Sequence, residues 1–155
     1  MTTQTGRTVS KWVAFKLDDS NGTLRTIAGV TTINGVGLTY DEGDVTALTD
    51  SIKNVLPNQP DLTITVGGKL DNTADTGFHT VFSGIAGGNT PLSMDIQFGI
   101  RHAWESGEPQ FGITATATSG MLCTSYVVDP NGVDATAKLK VMGGTAPAWG
   151  TTAES

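Results

Sequence analysis

Strict alternation of apolar and polar residues is the feature that most constrains how this chain folds. In LSMDIQFGI, residues 92–100, every second residue from Leu92 to Ile100 is apolar, and Ser, Asp, Gln and Gly stand between them. A period of two places successive side chains on opposite faces of a strand. Similar alternation occurs at 61–70, 111–118 and 137–141. These segments predict strands with one dry face and one wetter face.

Further strands complete an all-β pattern. Apolar segments at 12–17, 24–33 and 121–128 are less regular but also predict strands. Asp-Pro-Asn-Gly at 129–132 is typical of the turn of a β-hairpin. At least seven short strands separated by turn residues predict an antiparallel β-sandwich or a barrel-like domain.

One segment has the period of a helix instead. Its apolar residues recur at positions i, i+3, i+4 and i+7, and they are Phe78, Val81, Phe82 and Ile85. This spacing forms one stripe of an α-helix, predicted at about 75–86. Asp75 or Thr76 is suited to cap its first turn, and the glycines at 87 and 88 are suited to end it. A single helix is expected to flank the sheets.

The chain is expected to form a single domain over residues 1–155, because no repeat and no second core pattern occurs. Residues 1–11 are polar and read as an N-terminal arm, and 12–143 as the β-sandwich core. Residues 144–155 read as a C-terminal tail. Within the core, 40–60 is expected to be a long loop with one short strand at about 45–48, and a loop of that length is usually functional or disordered.

Charge and cysteine content exclude several classes of function. The formal net charge is −6, and the nine basic residues are scattered, which disfavours a sequence-reading nucleic-acid binder. Cys123 is the only cysteine, so no internal disulfide forms and a reducing compartment is expected. No apolar run reaches the ~20 residues of a membrane span, and the N-terminus lacks a signal-peptide pattern. We therefore expect a soluble protein made in a cytoplasm.

The stretch LDDSNG at 17–22 has two adjacent carboxylates and is therefore a candidate metal site. A calcium loop of the EF-hand type needs oxygen ligands at positions 1, 3 and 5, Gly at 6 and Glu at 12. Alignment on Gly22 places Asp19 at position 3, but Leu17 at position 1 and Ala28 at position 12. Because both anchoring ligands are missing, Asp18 and Asp19 are expected to shape a turn between two strands.

Candidate catalytic residues do not form a recognisable set. His79 follows Asp75 by four residues, a spacing that also suits a histidine on a helix surface. His102 stands in a loop, Cys123 lies in an apolar strand, and the acidic residues at 41, 42 and 44 are expected to be solvated. Neither a Gly-x-Ser-x-Gly nucleophile elbow nor a phosphate-binding glycine loop occurs. We predict no enzyme, no cofactor and no metal.

The order of several short motifs resembles a known family. The segment AFKLDDSNGTLRTIAG, at 14–29, is followed by GDVTALTDSIKNVLPNQPDLTITVGGKLDNTADTGFHTVF, at 43–82. Its elements are Asp18-Asp19-Ser20, Asp44-Val45-Thr46, Thr49-Asp50-Ser51, Leu56-Pro57, Thr63 to Gly67, and Asp71 to Gly77. In order and spacing these resemble the major tail tube proteins of long-tailed bacteriophages. Leu48-Thr49 stands where the family usually has a glycine, and the C-terminal half matches only in its strand rhythm.

The resemblance implies a structural virion protein. Such a subunit forms a β-sandwich with one helix and assembles into hexameric rings, and the stacked rings form a tube through which viral DNA passes without sequence-specific binding. The implied partners are further copies of the chain and the tape measure, tail terminator and distal tail proteins. The implied location is the tail of the virion, after synthesis in the host cytoplasm. A net negative subunit suits a conduit, since it does not hold the phosphate backbone.

Contacts between subunits are expected from the 40–60 segment and from the C-terminal tail. The residues predicted to make them are Asp44, Val45, Thr46, Thr49, Asp50, Ser51, Leu56, Pro57, Asn58 and Trp149. Two alternatives stay open: a capsid decoration or head–tail connecting protein, and a glycan-binding β-sandwich. The second would need a platform of exposed aromatic side chains, and the spacing of Trp12, Trp104 and Trp149, at a strand start, in a loop and in the tail, shows none.

Overall fold

The computed structural model describes residues 2–155, which contain eleven strands, one α-helix and one short 3-10 turn at Ser10–Trp12. The strands are β1 Val13–Asp18, β2 Leu24–Thr26, β3 Val30–Asn34, β4 Thr39–Asp44, β5 Val55–Asp61, β6 Thr63–Lys69, β7 Met94–Phe98, β8 Gln110–Ile113, β9 Gly120–Asp129, β10 Asp134–Met142 and β11 Ala148–Gly150. The helix, α1, is Phe78–Ile85. It is eight residues long, and no helix in the described part of the chain is long and apolar enough to cross a membrane.

Two antiparallel sheets form the body of the molecule. One has five strands in the order β11-β8-β7-β1-β2, and the other has four in the order β3-β6-β10-β9. The remaining strands, β4 and β5, pair only with each other. The predicted all-β architecture with one flanking helix is confirmed.

Alternation along the strands builds the core between the sheets. On β10, Ala137 and Leu139 are fully buried, whereas Lys138 and Lys140 are exposed. On β6, Ile64 and Val66 are buried in the same way. Leu70, which was expected on this buried face, is 43% exposed because β6 ends at Lys69. The alternating apolar residues therefore form the core where they lie within strands, and they are exposed where the strand has ended.

The helix closes one side of the sandwich. Its four apolar residues are buried, as the stripe predicted, and the rings of Phe78 and Phe82 lie 4.6 Å apart between centroids. The predicted cap is wrong: the N-cap is Gly77, and no side chain bonds there. Asp75 cannot serve because it lies in the preceding turn with a positive φ of 67°. Residues 86–88 end the helix as expected, with Gly87 in the left-handed region.

Two predicted strands are shorter than their patterns. The segment 24–33 is divided at Gly29, whose φ is +86°, and its halves become β2 and β3 in different sheets. The segment 111–118 is a strand only as far as Ile113. Beyond it the chain turns, and the hydroxyl of Thr116 accepts a bond from the backbone N–H of Ser119. Threonine hydroxyls thus replace strand pairing where sequence alternation continued.

The wetter face expected on β7 is in fact covered. Asp95 and Gln97 are both buried, because the C-terminal residues lie over them. The backbone N–H of Glu154 donates to Asp95 Oδ2 at 3.3 Å. The Gln110 amide donates to Asp95 Oδ1 at 3.0 Å and to Glu154 Oε1 at 3.2 Å. Burial raises the pKa of Asp95. The tail therefore forms part of the folded body.

The N-terminal segment is held by one buried carboxylate, that of Glu108. Its Oε2 accepts the backbone N–H of Gln4 at 2.8 Å, and its Oε1 accepts those of Ile100 and Glu105 at 3.2 Å each. His102 Nε2 lies 3.2 Å from Oε2. Although burial opposes it, these backbone donors hold the pKa of Glu108 below its usual value. Residues 2–9 thereby lie along the loop at 99–109.

Candidate assembly surface

The segment predicted as a long loop is a β-hairpin that stands apart from both sheets. β4 and β5 pair from Thr39 opposite Asp61 to Asp44 opposite Val55, with a bulge between Tyr40 and Glu42. Residues 45–48, expected to form a strand, lie in the turn region instead. The prolines of β5 explain why the sequence did not read as a strand: they fit only at edges and bulges, and this hairpin is all edge.

The tip of the hairpin, residues 45–54, is organised by four short polar residues. Thr46 and Asn54 exchange bonds: Asn54 N donates to Thr46 Oγ1 at 2.8 Å, and Thr46 Oγ1 donates to the Asn54 carbonyl at 3.1 Å. Asp50 Oδ2 accepts Ala47 N at 2.8 Å and the Asn54 amide at 2.9 Å. Asp44 Oδ1 accepts Thr46 N at 2.9 Å. The tip therefore has a defined shape although it is solvated.

The hydrogen bonds at the tip lower the pKa values of the two carboxylates that accept them. The backbone N–H of Thr46 holds the pKa of Asp44 below its usual value, and that of Ala47 does the same for Asp50. Hydrogen bonds to the charged form favour ionisation. Both side chains are accordingly ionised at neutral pH, and the tip keeps its negative charge.

The hairpin exposes an unusual amount of apolar surface. Leu48 is fully exposed, Ile52 is 73% exposed and Leu56 is 58% exposed. Six of the eleven large apolar side chains that are exposed in the described residues lie between positions 40 and 56, and they are Tyr40, Val45, Leu48, Ile52, Val55 and Leu56. Clustered apolar exposure on a protruding element marks an interaction surface.

A two-stranded hairpin is marginally stable in water when nothing packs against it. Here neither strand pairs with a sheet, and every residue of β5 is exposed. The hairpin is also acidic, with Asp41, Glu42, Asp44, Asp50 and Asp61 against the single Lys53. Such an element is suited to become buried against another molecule.

The structure brings together nine of the ten residues predicted to make subunit contacts. Asp44, Leu56, Pro57 and Asn58 lie on the strands of the hairpin, and the other five are at its tip. Trp149 lies on β11, where its ring contacts those of Phe98 and Phe111. Its indole lies beside Gly37, two residues before β4 begins and so near the base of the hairpin.

Sequence reasoning missed the apolar side chains that dominate this surface. Tyr40, Leu48, Ile52 and Val55 were not among the predicted contact residues, although each is at least 43% exposed. The signal was present as isolated large apolar residues in a stretch without a period. In a solvated loop such residues have no core to enter, so they predict an exposed apolar surface.

The acidic turn at 18–22 has a purely structural arrangement. Asp19 Oδ1 accepts the backbone N–H groups of Asn21 and Thr23 at 2.9 and 3.0 Å, and its Oδ2 accepts Arg25 Nε at 3.0 Å. Asp18 points the other way, accepting Ser93 N at 2.8 Å, and burial raises its pKa. The prediction of a turn is confirmed. The described residues contain no group of three or more side chains arranged to hold a metal ion.

The other candidate side chains also have structural partners. His79 Nδ1 lies 2.9 Å from the hydroxyl of Tyr126, and the thiol of Cys123 is buried, which raises its pKa. Trp104 donates its indole N–H to the carbonyls of Glu108 and Pro109. Trp12 is in contact with Lys11, whereas Trp149 packs on phenylalanines. These contacts account for the side chains without invoking a ligand.

Comparison with known proteins gives results only at the level of structure. No protein-family model matches the chain, and no curated protein matches its sequence. Among solved structures, the sheath/tube terminator of an extracellular contractile injection system (PVC) aligns with a TM-score of 0.59 and 12% identity, covering 94% of this chain and 98% of that one. The fold of this chain resembles that of phage tail tube and tube terminator proteins.

Two further structures agree with that assignment. A chain from the tail of an empty gene transfer agent particle aligns with a TM-score of 0.54 and 20% identity, covering 93% of this chain and 99% of that one. The tube-terminating cap of the anti-feeding prophage aligns with a TM-score of 0.59 and 12% identity, covering 98% and 96%. The neighbours are structural parts of phage-like particles and not enzymes. The resemblance seen in the sequence is confirmed for the fold.

Proposed function

We propose that this chain is the subunit of a tail tube. The observation that carries the proposal is the hairpin β4–β5, which presents exposed apolar side chains on two strands that pair with neither sheet. The tail tube fold supplies the second support. The residues predicted for subunit contacts keep that role, and Tyr40, Leu48, Ile52 and Val55 join them.

The proposed assembly is a hexameric ring that stacks into a tube conducting viral DNA. The gene transfer agent tail to which this chain is similar has six-fold symmetry, and this supports six subunits in a ring. A net charge of −6 per subunit gives a tube that does not hold a polyanion. In this account the DNA passes without sequence-specific binding. The further partners are the tape measure, terminator and distal tail proteins of a virion.

Substitution at the hairpin tip tests the proposal. Leu48→Asp together with Ile52→Asp removes apolar contact area and adds charge to an acidic element, so rings and tubes should be lost in sedimentation velocity and electron microscopy. Because both side chains are exposed, the melting temperature should change by less than about 2 °C.

Val133→Asp provides the matched control. Val133 is exposed, and it lies in the β9–β10 turn with a φ of 53°, where Asp is tolerated better than a β-branched residue. This variant should assemble like the unaltered chain. Full assembly of the Leu48→Asp, Ile52→Asp variant would contradict the proposal that the hairpin makes contacts between subunits.

A tube terminator is the second candidate. Two of the similar structures are a sheath/tube terminator and a tube-terminating cap, and this observation favours it. In that role the purified chain would end a tube and would not grow into one by itself. Growth of tubes from the purified chain would exclude it, whereas rings that stay single at high concentration and cap preformed tubes would support it.

A further inference from the structure

A buried histidine and a buried carboxylate lie where the N-terminal segment, residues 2–9, contacts the loop at 99–109. His102 Nε2 is 3.2 Å from Glu108 Oε2, and both side chains are buried. In the described part of the chain, Nε2 is the only buried side-chain nitrogen or oxygen that has no hydrogen-bond partner. Such an atom is costly to bury unless it carries a proton toward the carboxylate. The proposed assembly makes no use of this pair.

The other ring nitrogen determines what Nε2 can do. His102 Nδ1 lies 2.6 Å from the carbonyl oxygen of Ala103, and because a carbonyl only accepts, Nδ1 carries a proton. In that neutral tautomer, Nε2 would present a lone pair to the carboxylate. The opposite neutral tautomer would present a lone pair to the Ala103 carbonyl. Only the imidazolium, which donates from both nitrogens, suits both neighbours.

Glu108 is the anion of the pair. Although burial opposes it, the backbone N–H groups that the carboxylate accepts hold the pKa of Glu108 below its usual value, and they belong to Gln4, Glu105 and Ile100. The carboxyl group therefore cannot supply the proton between the two side chains at neutral pH. That proton belongs to His102, and the contact is a buried ion pair.

The N-terminal segment is held by the same carboxylate oxygen. Glu108 Oε2 accepts the backbone N–H of Gln4 at 2.8 Å and is also the oxygen beside His102. The other bonds between the segment and the loop run from Thr3 to the carbonyl of Ser106, from Thr8 to that of Gly99 and from Arg101 to that of Thr5. A neutral ring would face Oε2 with a lone pair and would thereby disturb the bond to Gln4.

The remaining charges around His102 act on it more weakly. Its own loop carries Arg101 and Glu105, the facing N-terminal segment carries Arg7, and the 3-10 turn that follows carries Lys11. The three cations disfavour a charged ring, but all three are exposed, where water and salt screen them. Within ion-pair distance of the ring, the described residues place only the carboxylate of Glu108. The charge of the ring is therefore coupled mainly to that carboxylate.

We propose that His102 and Glu108 form a pH-sensitive latch, which holds the N-terminal segment while the imidazole is charged and releases it when the imidazole is neutral. Since the docked state binds one proton more than the released state, docking weakens as the pH rises. Histidine changes its charge between about pH 5 and 8, so the change falls in this range. The latch acts within one chain, and it goes beyond the proposed tail role without depending on it.

Limited proteolysis at different pH values tests the latch. Trypsin should cut faster after Arg7 when the N-terminal segment is released. Lys53, at the exposed hairpin tip, provides a reference site in the same digest, so the pH dependence of the protease cancels in the ratio of the two cleavages. From about pH 6 to about pH 8.5 this ratio should rise roughly fivefold, within the limit of about tenfold per pH unit that one proton allows. A flat ratio in the unaltered chain would overturn the latch.

Two histidine variants assign the effect. His102→Gln removes the titrating ring, so the cleavage ratio should lose its pH dependence. His79→Gln is the matched control, because the other histidine of the chain bonds the hydroxyl of Tyr126 and should leave the rise unchanged. A ratio that rises in His102→Gln as it does in the unaltered chain would refute the role of His102. Loss of the rise in His79→Gln alone would do the same.

Nuclear magnetic resonance of the ring nitrogens tests the protonation state without a substitution. At about pH 6, with the segment docked, both ring nitrogens of His102 should carry protons, and the backbone amide of Gln4 should be protected from exchange. Protection of Gln4 should fall as the ring becomes neutral. A neutral His102 ring together with a fully protected Gln4 amide would overturn the latch, whatever the variants show.

Discussion

Glu108 ties the N-terminal segment to the body through a single carboxylate. It accepts backbone donors from Gln4, Ile100 and Glu105 and lies beside His102. Because its pKa is lowered in the folded state, its contribution to stability is present above the unfolded pKa and is lost as the pH falls through the folded one. At neutral pH the anchor is in place.

Removal of this carboxylate should release the segment. We expect Glu108→Ala to lower the melting temperature, since buried donors lose their acceptor. Trypsin should then cleave after Arg7 several-fold faster than in the unaltered chain, by limited proteolysis and mass spectrometry. Glu42→Ala, on the exposed hairpin, should leave both readouts unchanged. Unchanged cleavage after Arg7 in Glu108→Ala would contradict the anchoring role.

Alternation on β10 gives a second prediction at this scale. Leu139 is fully buried between the sheets and its neighbour Lys138 is exposed. Leu139→Ala should reduce the free energy of unfolding by about 2–5 kcal/mol through lost burial and a cavity. Lys138→Ala should change it by less than about 0.5 kcal/mol. Urea unfolding followed by circular dichroism measures both, and equal effects would contradict the assigned faces.

Single residues also show what the sequence could reveal. Asp19 was predictable as a turn former because Asx side chains bond the backbone locally, and its bonds to residues 21 and 23 are local. Asp95 was not predictable. It alternates like a solvent-facing residue, and only the arrival of the C-terminal segment, from 59 residues away in sequence, buries it.

At the scale of elements, the hairpin tip should respond to acid. Asp44 and Asp50 have lowered pKa values, so their bonds stabilise the tip above the ordinary pKa of Asp and are lost as the pH falls through the lowered values. Amide exchange at Thr46 and Ala47, whose N–H groups donate to Asp44 and Asp50, should therefore show loss of protection below about pH 4 when corrected for intrinsic rates. The strands of the two sheets should stay protected there.

Two variants separate charge from geometry at Asp50. Asp50→Asn keeps an oxygen that accepts from Ala47 and Asn54 but removes the titrating charge, so protection of Ala47 should lose much of its pH dependence. Asp50→Ala removes the acceptor, and protection should be low at every pH. Identical pH profiles for Asp50→Asn and the unaltered chain would assign the effect to another group.

The elements differ in how well the sequence predicted them. β6, β7 and β10 follow a strict period and were located to within a few residues, because one face meets the core. β4 and β5 were missed, since neither face is buried in the monomer and no alternation was required. Segment 24–33 was predicted as one strand, but the chain turns at Gly29 and its two halves join different sheets. Tertiary packing determines this division, and the apolar pattern does not reveal it.

For the whole molecule, the fold was predictable and the surface only partly so. Strand period and the order of short motifs indicated the tail tube architecture, and similar solved structures share it. The 40–60 segment was singled out as a region, but its exposed apolar side chains were overlooked because they follow no period and enter no core within the chain. The sequence also did not reveal that the C-terminal residues cover the five-stranded sheet, because their contacts join residues far apart in the chain.

Electron microscopy of the purified, unaltered chain at high concentration tests the central claim most directly. The account predicts six-fold rings that stack into hollow tubes, with the β4–β5 hairpin at the contact between subunits. A preparation that stays monodisperse and monomeric, and that also fails to polymerise when tail components are added, would contradict it.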